Sequence, residues 1–211
     1  MNWLHHLHQR WHQRALQGSQ WQQLLAPPPP GEWVALDCET TGLNPRSDDI
    51  IAIGAVRIAG NRILTSQRLE LLVRPSRTLP PESIRVHRLR QQDVAHGLEP
   101  VDAMHQLLHF IGPRPLVGYY LAFDVAMINR CLKATLGIAL PQEKIEISAL
   151  YYDWRFRQLP PYQQHDQADI DLRFATIMKE LNLPTREAHN ALNDAVMAAL
   201  AFIKLRQLRG H

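Results

Sequence analysis

Three consecutive strand-like segments near the start of the chain limit its possible folds more than any other feature. Val34-Ala35-Leu36 opens a short buried strand that runs into Asp37. Ile50 to Ile58 is a second strand, rich in β-branched residues. Ala59-Gly60-Asn61-Arg62 supplies a hairpin turn, and Ile63 to Val73 forms the third strand. Helical periodicity then takes over. It spans Val101 to Ile111, with Pro100 in a first-turn position, and Asp124 to Leu136, with Gly137 as a C-terminal stop. Further helices are predicted over Ala149 to Arg157, Asp171 to Leu181 and Asn190 to Gln207, with short strands at Leu116-Val117 and Lys144 to Ile147. A meander followed by alternating helices and short strands predicts an α/β domain with a mixed sheet.

What precedes this pattern differs from it. Residues 1–26 contain no acidic residue, and Trp3, Leu4, Leu7, Trp11 and Leu16 recur at helical spacing. Pro27 to Pro30 cannot continue a helix and favours a stiff extended spacer. The organisation read here is a helical arm and Pro-rich spacer over residues 1–30, then a domain over 31–211. The arm either packs back on the domain or meets a protein partner. His5, His8 and His12 can share one helical face, with His6 beside them, but no Cys or carboxylate joins them, so they read as a solvated polar face.

Composition excludes several classes. A chain of 211 residues buries enough surface to need no disulfides, and Cys38 and Cys131 are its only cysteines, too few for a cystine scaffold or a multi-cysteine zinc site. No apolar run reaches membrane-span length, and the first residues lack a secretory apolar core. The expectation is a cytoplasmic protein with no membrane association. Net charge is only +3, yet all but four of the 23 basic residues are arginines, whose planar fork suits phosphate.

Three short segments carry the chemistry. In Asp37-Cys38-Glu39-Thr40-Thr41-Gly42, strand alternation projects Asp37 and Glu39 from one face. Two neighbouring anions raise each other's pKa, and a cation between them relieves the repulsion; oxygen ligands favour Mg²⁺ or Mn²⁺. The plain alternative is a solvated pair. Phe123-Asp124 follows a short apolar strand, where Asp is also an ordinary helix cap. His189-Asn190-Ala191-Leu192-Asn193-Asp194 is the third. Five residues turn a helix by about 500°, so His189 and Asp194 cannot share a helical face. The arrangement works with His189 in a loop, Asn190 as cap and Asp194 one turn in; the alternative is a surface His and an Asp favoured by the helix dipole.

In this order, from about Trp33 to Arg206, the three segments resemble the DEDDh group of the DnaQ-like 3′–5′ exonucleases, which includes the epsilon proofreading subunit of bacterial DNA polymerase III and ribonuclease T. Glu82 to Leu89 resembles the family's segment ending in I-H-G-I, with Arg88 in place of the glycine. The resemblance implies a ribonuclease H-like mixed sheet flanked by helices. It implies two divalent cations, Mg²⁺ or Mn²⁺, on Asp37, Glu39, Asp124 and Asp194, with His189 as general base. For substrate it implies Thr40, Thr41 and Gly42 near the free 3′-OH, Leu43 as a wedge between the last two bases, Phe123 against sugar or base, and His87 at the terminal nucleotide. Turn chemistry or core packing would explain the same residues without substrate.

Tyr119-Tyr120 stands where many relatives have His-Asn, and either ring stacks on a base, narrows the pocket or belongs to the core. The expected activity is removal of nucleoside 5′-monophosphates from 3′ ends of single-stranded DNA, in repair or editing. RNA 3′ ends are the nearest rival, and a non-catalytic nucleic-acid-binding module is a rival of another class. The short segment after the last helix, Leu208 to His211, favours a free-standing enzyme over a polymerase-bound proofreader, with recruitment through residues 1–26. Gln106 to Phe110 faintly resembles a sliding-clamp pentapeptide, but its place in an amphipathic helix argues for core packing.

Overall fold

The computed structural model describes residues 16–165 and 169–209. Its five-stranded sheet contains β1 (Glu32–Thr40), β2 (Ile50–Ala59), β3 (Arg62–Leu72), β4 (Leu116–Gly118) and β5 (Lys144–Glu146), in the order β3-β2-β1-β4-β5. β1 and β3 both run antiparallel to β2, while β4 is parallel to β1 and β5 to β4. This is the mixed sheet that the meander predicts. Gly60, at φ 59°, makes the hairpin turn between β2 and β3.

Among the described residues the α-helices, in chain order, are α1 (Pro81–His87), α2 (Gln91–Val94), α3 (Pro100–Ile111), α4 (Leu121–Leu136), α5 (Ile147–Gln158), α6 (Phe174–Glu180) and α7 (Ala191–Arg209). Alternation along β1 divides the core between the two faces of the sheet. Val34, Leu36 and Cys38 join α3 and α4 residues such as Leu107, Met127 and Ile128. Ala35 joins Tyr151 of α5, Ile177 of α6 and Phe202 of α7. Asp37 and Glu39 continue the Ala35 row, so the same period that packs the core aims both acids toward the α7 side.

Some boundaries differ from expectation. α4 begins at Leu121, three residues before Asp124, so Asp124 lies in its first turn and is not its cap. The cap is Glu146, whose Oε1 accepts the Tyr120 N–H (3.0 Å) and whose Oε2 accepts the Leu121 N–H (2.8 Å). The same carboxylate accepts the Ser148 N–H (3.1 Å) and hydroxyl (2.9 Å), capping α5 as well. One side chain thus satisfies the orphan donors of two helices. α6 starts at Phe174, because Asp171 stays outside and accepts from the Arg173 N–H and the Thr176 hydroxyl. The short helices α1 and α2 lie in a stretch that periodicity left unassigned.

The described part of the arm packs back. Leu16, Trp21 and Leu24 are buried in the α3–α4 core, and the Trp21 ring lies against His109 (4.9 Å between centroids) and His105 (5.3 Å) of α3. Trp3, Leu4, Leu7, Trp11 and the four histidines at 5, 6, 8 and 12 lie outside the described residues. Leu107 and Leu108 are fully buried, which commits both leucines of the clamp-like pentapeptide to the core. Cys38 and Cys131 are free thiols. No helix among the described residues is long and apolar enough to cross a membrane.

Candidate active site

The acids converge at the end of β1. Asp37, Glu39 and Asp194 each offer an oxygen within 4.8 Å of the others. Asp124 reaches the group from the first turn of α4 and is buried, as is Glu39. Two close backbone approaches allow this. Gly54 of β2 stands opposite Asp37 in the ladder, and a Cβ there would lie 2.1 Å from the Ala191 carbonyl carbon at the start of α7. A Cβ on Gly118 would lie 2.9 Å from Leu121 and 3.0 Å from the Leu36 carbonyl. Hydrogen at both positions lets α7 and α4 press their first turns, with Asp194 and Asp124, against the strand carrying Asp37 and Glu39.

The electrostatics follow from that crowding. Lost hydration, then Asp124, Asp194 and Glu39, pushes the Asp37 carboxyl well above the ordinary range. Glu39 rises to about 7, through burial and then Asp194. Asp124 rises through burial and Glu39, partly offset by a hydrogen bond from the Cys38 backbone. Asp194 rises through burial, and hydrogen bonds from the His189 and Asn190 backbones hold it back. Among the described residues no Lys or Arg pairs with any of the four. Four crowded carboxylates without a side-chain cation form an oxygen donor set that fits hard divalent cations.

His189 sits in the loop ahead of α7 at φ 61°, and its N–H donates to Asp194 Oδ2 at 2.9 Å. Asn190 caps the helix, its Oδ1 accepting the Asn193 N–H at 3.0 Å. His87 ends α1. Its Nδ1 accepts the Leu89 N–H at 3.0 Å, leaving a buried Nε2 without a partner, and burial and then His189 lower its pKa. Arg88 follows in a left-handed conformation, φ 60°, that suits the family's glycine better than arginine. Its guanidinium pairs with Glu187 in the loop that carries His189.

The four acids, His87 and His189 line one cleft of about 890 Å³, together with Thr40, Thr41, Gly42, Leu43 and Phe123. The structure therefore brings into one cleft the residues that the sequence assigned to the metal site and the terminal-nucleotide pocket. The turn uses some of their polar atoms: the Thr40 hydroxyl donates to the Gly42 carbonyl (2.7 Å), and the Thr41 N–H to the Asp49 carbonyl (2.9 Å). Arg130 anchors this turn by donating to the Arg46 and Asp48 carbonyls. Leu43 projects from it, 84% exposed. Gly54, Gly118, Glu146, Phe174 and Arg186 were not anticipated. An isolated glycine inside an apolar strand was the available signal for Gly54; Glu146 gave none, because its partners lie 25 and 26 residues away.

The model of the exonuclease family matches residues 34–202. The chain is 28% identical to DNA polymerase III subunit epsilon of Rickettsia conorii over 181 residues, covering 82% of this chain and 72% of that protein. It is 27% identical to the PolC-type DNA polymerase III of Thermotoga maritima over 176 residues, covering 83% of this chain but spanning only 12% of that much longer protein. Among solved structures, exonuclease X in complex with 5′ overhanging duplex DNA matches with a TM-score of 0.61 and 24% identity, over 85% of this chain and 93% of that one. Escherichia coli exonuclease I in complex with a dA16 oligonucleotide matches with a TM-score of 0.71 and 13% identity, over 85% and 42%. At these identities the two structures speak for the fold.

Proposed function

The chain belongs to the DnaQ-like exonuclease family, and from that premise we propose that it is a divalent-metal-dependent 3′–5′ exonuclease of single-stranded DNA, acting in the cytoplasm. The observation that carries this reading is the convergence of Asp37, Glu39 and Asp194 within 4.8 Å, with Asp124 beside them and no Lys or Arg of the described residues paired with them. In this reading Asp37, Glu39, Asp124 and Asp194 hold two cations, Mg²⁺ or Mn²⁺. What such a pair supplies when bound is a more acidic attacking water and neutralisation of charge growing on the phosphate and the departing 3′ oxygen.

The chain's own groups supply the rest. The His189 imidazole takes the proton of the attacking water, a role open to a ring nitrogen that accepts and returns protons. Its backbone N–H, donated to Asp194 Oδ2, keeps the ring beside the acids. Leu43 separates the last two bases, Phe123 packs on the terminal nucleotide, and His87 lines the same cleft. Gly42 and the hydroxyls of Thr40 and Thr41 flank the 3′ end. Nucleoside 5′-monophosphates leave one at a time. Because Leu16, Trp21 and Leu24 are committed to the core, a protein partner reached through residues 1–26 has to use what those side chains leave uncovered.

A 5′-labelled DNA strand and its RNA twin, incubated with Mg²⁺ or Mn²⁺, test the reading. The expected result is a ladder shortening from the 3′ end, faster on DNA, and absent with Asp194→Ala. Faster loss of the RNA twin would reassign the substrate. If wild type and Asp194→Ala both leave the strands intact with Mn²⁺ present, the enzyme reading fails.

A further inference from the structure

The two adjacent tyrosines at the start of α4 have different surroundings. The Tyr119 ring stacks on Phe174, with centroids 4.6 Å apart and planes at 18°, and its hydroxyl donates to the Leu172 carbonyl at 3.1 Å. It is fixed as part of the cleft wall. Tyr120 is 70% exposed and adopts φ 56°, a left-handed conformation that glycine or asparagine occupies at lower cost. Glu146 holds it there by accepting its N–H and that of Leu121, so the backbone is anchored while the ring stands in solvent. The ring lies over Phe123, with centroids 6.4 Å apart and planes at 29°.

A second observation points the same way. Of the six large apolar side chains most exposed among the described residues, three line this one cleft: Leu43, Val86 and Tyr120. Exposed apolar surface gathered at one mouth marks a place where something apolar is received. A flat, solvated ring one step outward from Phe123 matches the face of an unpaired base, and stacking of that kind accepts any base.

We propose that Tyr120 is a stacking platform for the unpaired base one step in from the 3′ end, extending the Phe123 surface outward. This rests on the exonuclease reading above. A base in a duplex keeps its faces against its neighbours and is not free to stack here, so the platform favours frayed or single-stranded ends. Tyr120 is then a specificity determinant that acts through binding, while the carboxylates act on the phosphate.

The test uses the full chain and two 5′-labelled single strands, one intact and one with an abasic residue next to the 3′ terminus. On the intact strand Tyr120→Ala should raise KM about tenfold with kcat little changed, and Tyr120→Phe should restore it, since the ring and not the hydroxyl does the stacking. On the abasic strand wild type and Tyr120→Ala should have the same KM. A 2-aminopurine at the penultimate position, bound with Ca²⁺, should be quenched by wild type and Tyr120→Phe but not by Tyr120→Ala. Equal losses on both strands, no loss on either, or quenching that survives Tyr120→Ala would each overturn the platform while leaving the nuclease intact. A wild type inactive on both strands would overturn the parent reading, and the platform with it.

Discussion

Asp37 and Glu39 ride on one strand, whereas Asp124 and Asp194 arrive on two helices packed against opposite faces of the sheet. The strand pair is positioned by a covalent regularity: residues two apart share a face whatever surrounds them. The helix pair is positioned by packing. Asp194 reaches the strand because Gly54 leaves room for the start of α7, and Asp124 because Gly118 and Glu146 set the start of α4. The same four charges therefore rest on supports of different stiffness. Damage to the strand pair should be chemical and local, and damage to the helix pair should also come from residues that touch no substrate.

The largest expected effect is at the strand. Asp37→Asn should lower kcat by on the order of 10³-fold or more, as loss of a charge-bearing metal ligand does. In EDTA the same variant should melt at a higher temperature than wild type, because Asp37 is held against lost hydration and three other carboxylates. A lower melting temperature would mean that the crowding is not what sets its pKa.

His189→Ala should cost about 10²-fold in kcat and leave Mn²⁺ affinity, read by calorimetry, near wild type. A large loss of affinity would move His189 from the proton-transfer role into the ligand set. Gly54→Ala comes next and is the sharpest test of the comparison. Its new methyl meets backbone, not a flexible side chain, so α7 must move; destabilisation of about 1–3 kcal/mol in urea is expected. Weaker Mn²⁺ binding should accompany it, although no ligand has changed. Unaltered stability and affinity would show that α7 has slack.

The last effect is a pH dependence, spread over several pH units. Glu39 has an ordinary value of 4.5 and is raised to about 7 in the metal-free fold. The folded protein thus holds that proton where the unfolded chain has released it. The contribution is fully present below 4.5 and disappears as pH rises through 7, by at most about 3 kcal/mol. Melting curves in EDTA should show this decline, and Mn²⁺ should raise the melting temperature more at pH 8 than at pH 5. A flat profile in EDTA would contradict the burial of Glu39.

Much of this was legible in the residues themselves. The meander, the order of elements and the shared face of Asp37 and Glu39 follow from periodicity, and the loop position of His189 follows from helix geometry. The start of α4 was not legible, because its cap is Glu146 from a different strand. The two tyrosines were not distinguishable either. Their neighbours in sequence are nearly the same, and only the tertiary placement of Phe174 makes one a wall and the other a free surface. Helix starts set by distant side chains, and exposure set by packing, lie beyond local patterns.

The Arg88–Glu187 pair bridges α1 and the loop before α7, and both partners are mostly exposed. Exposed pairs of this kind contribute about 0–1 kcal/mol and are screened by dissolved ions. The aromatic contact between Tyr119 and Phe174 has no such sensitivity. Added sodium chloride should therefore loosen one margin of the cleft and leave the other unchanged, a difference that the imidazole resonances of His87 and His189 would report in a salt titration. Resonances that move with salt would show that the ionic medium sets how far those two rings stand apart.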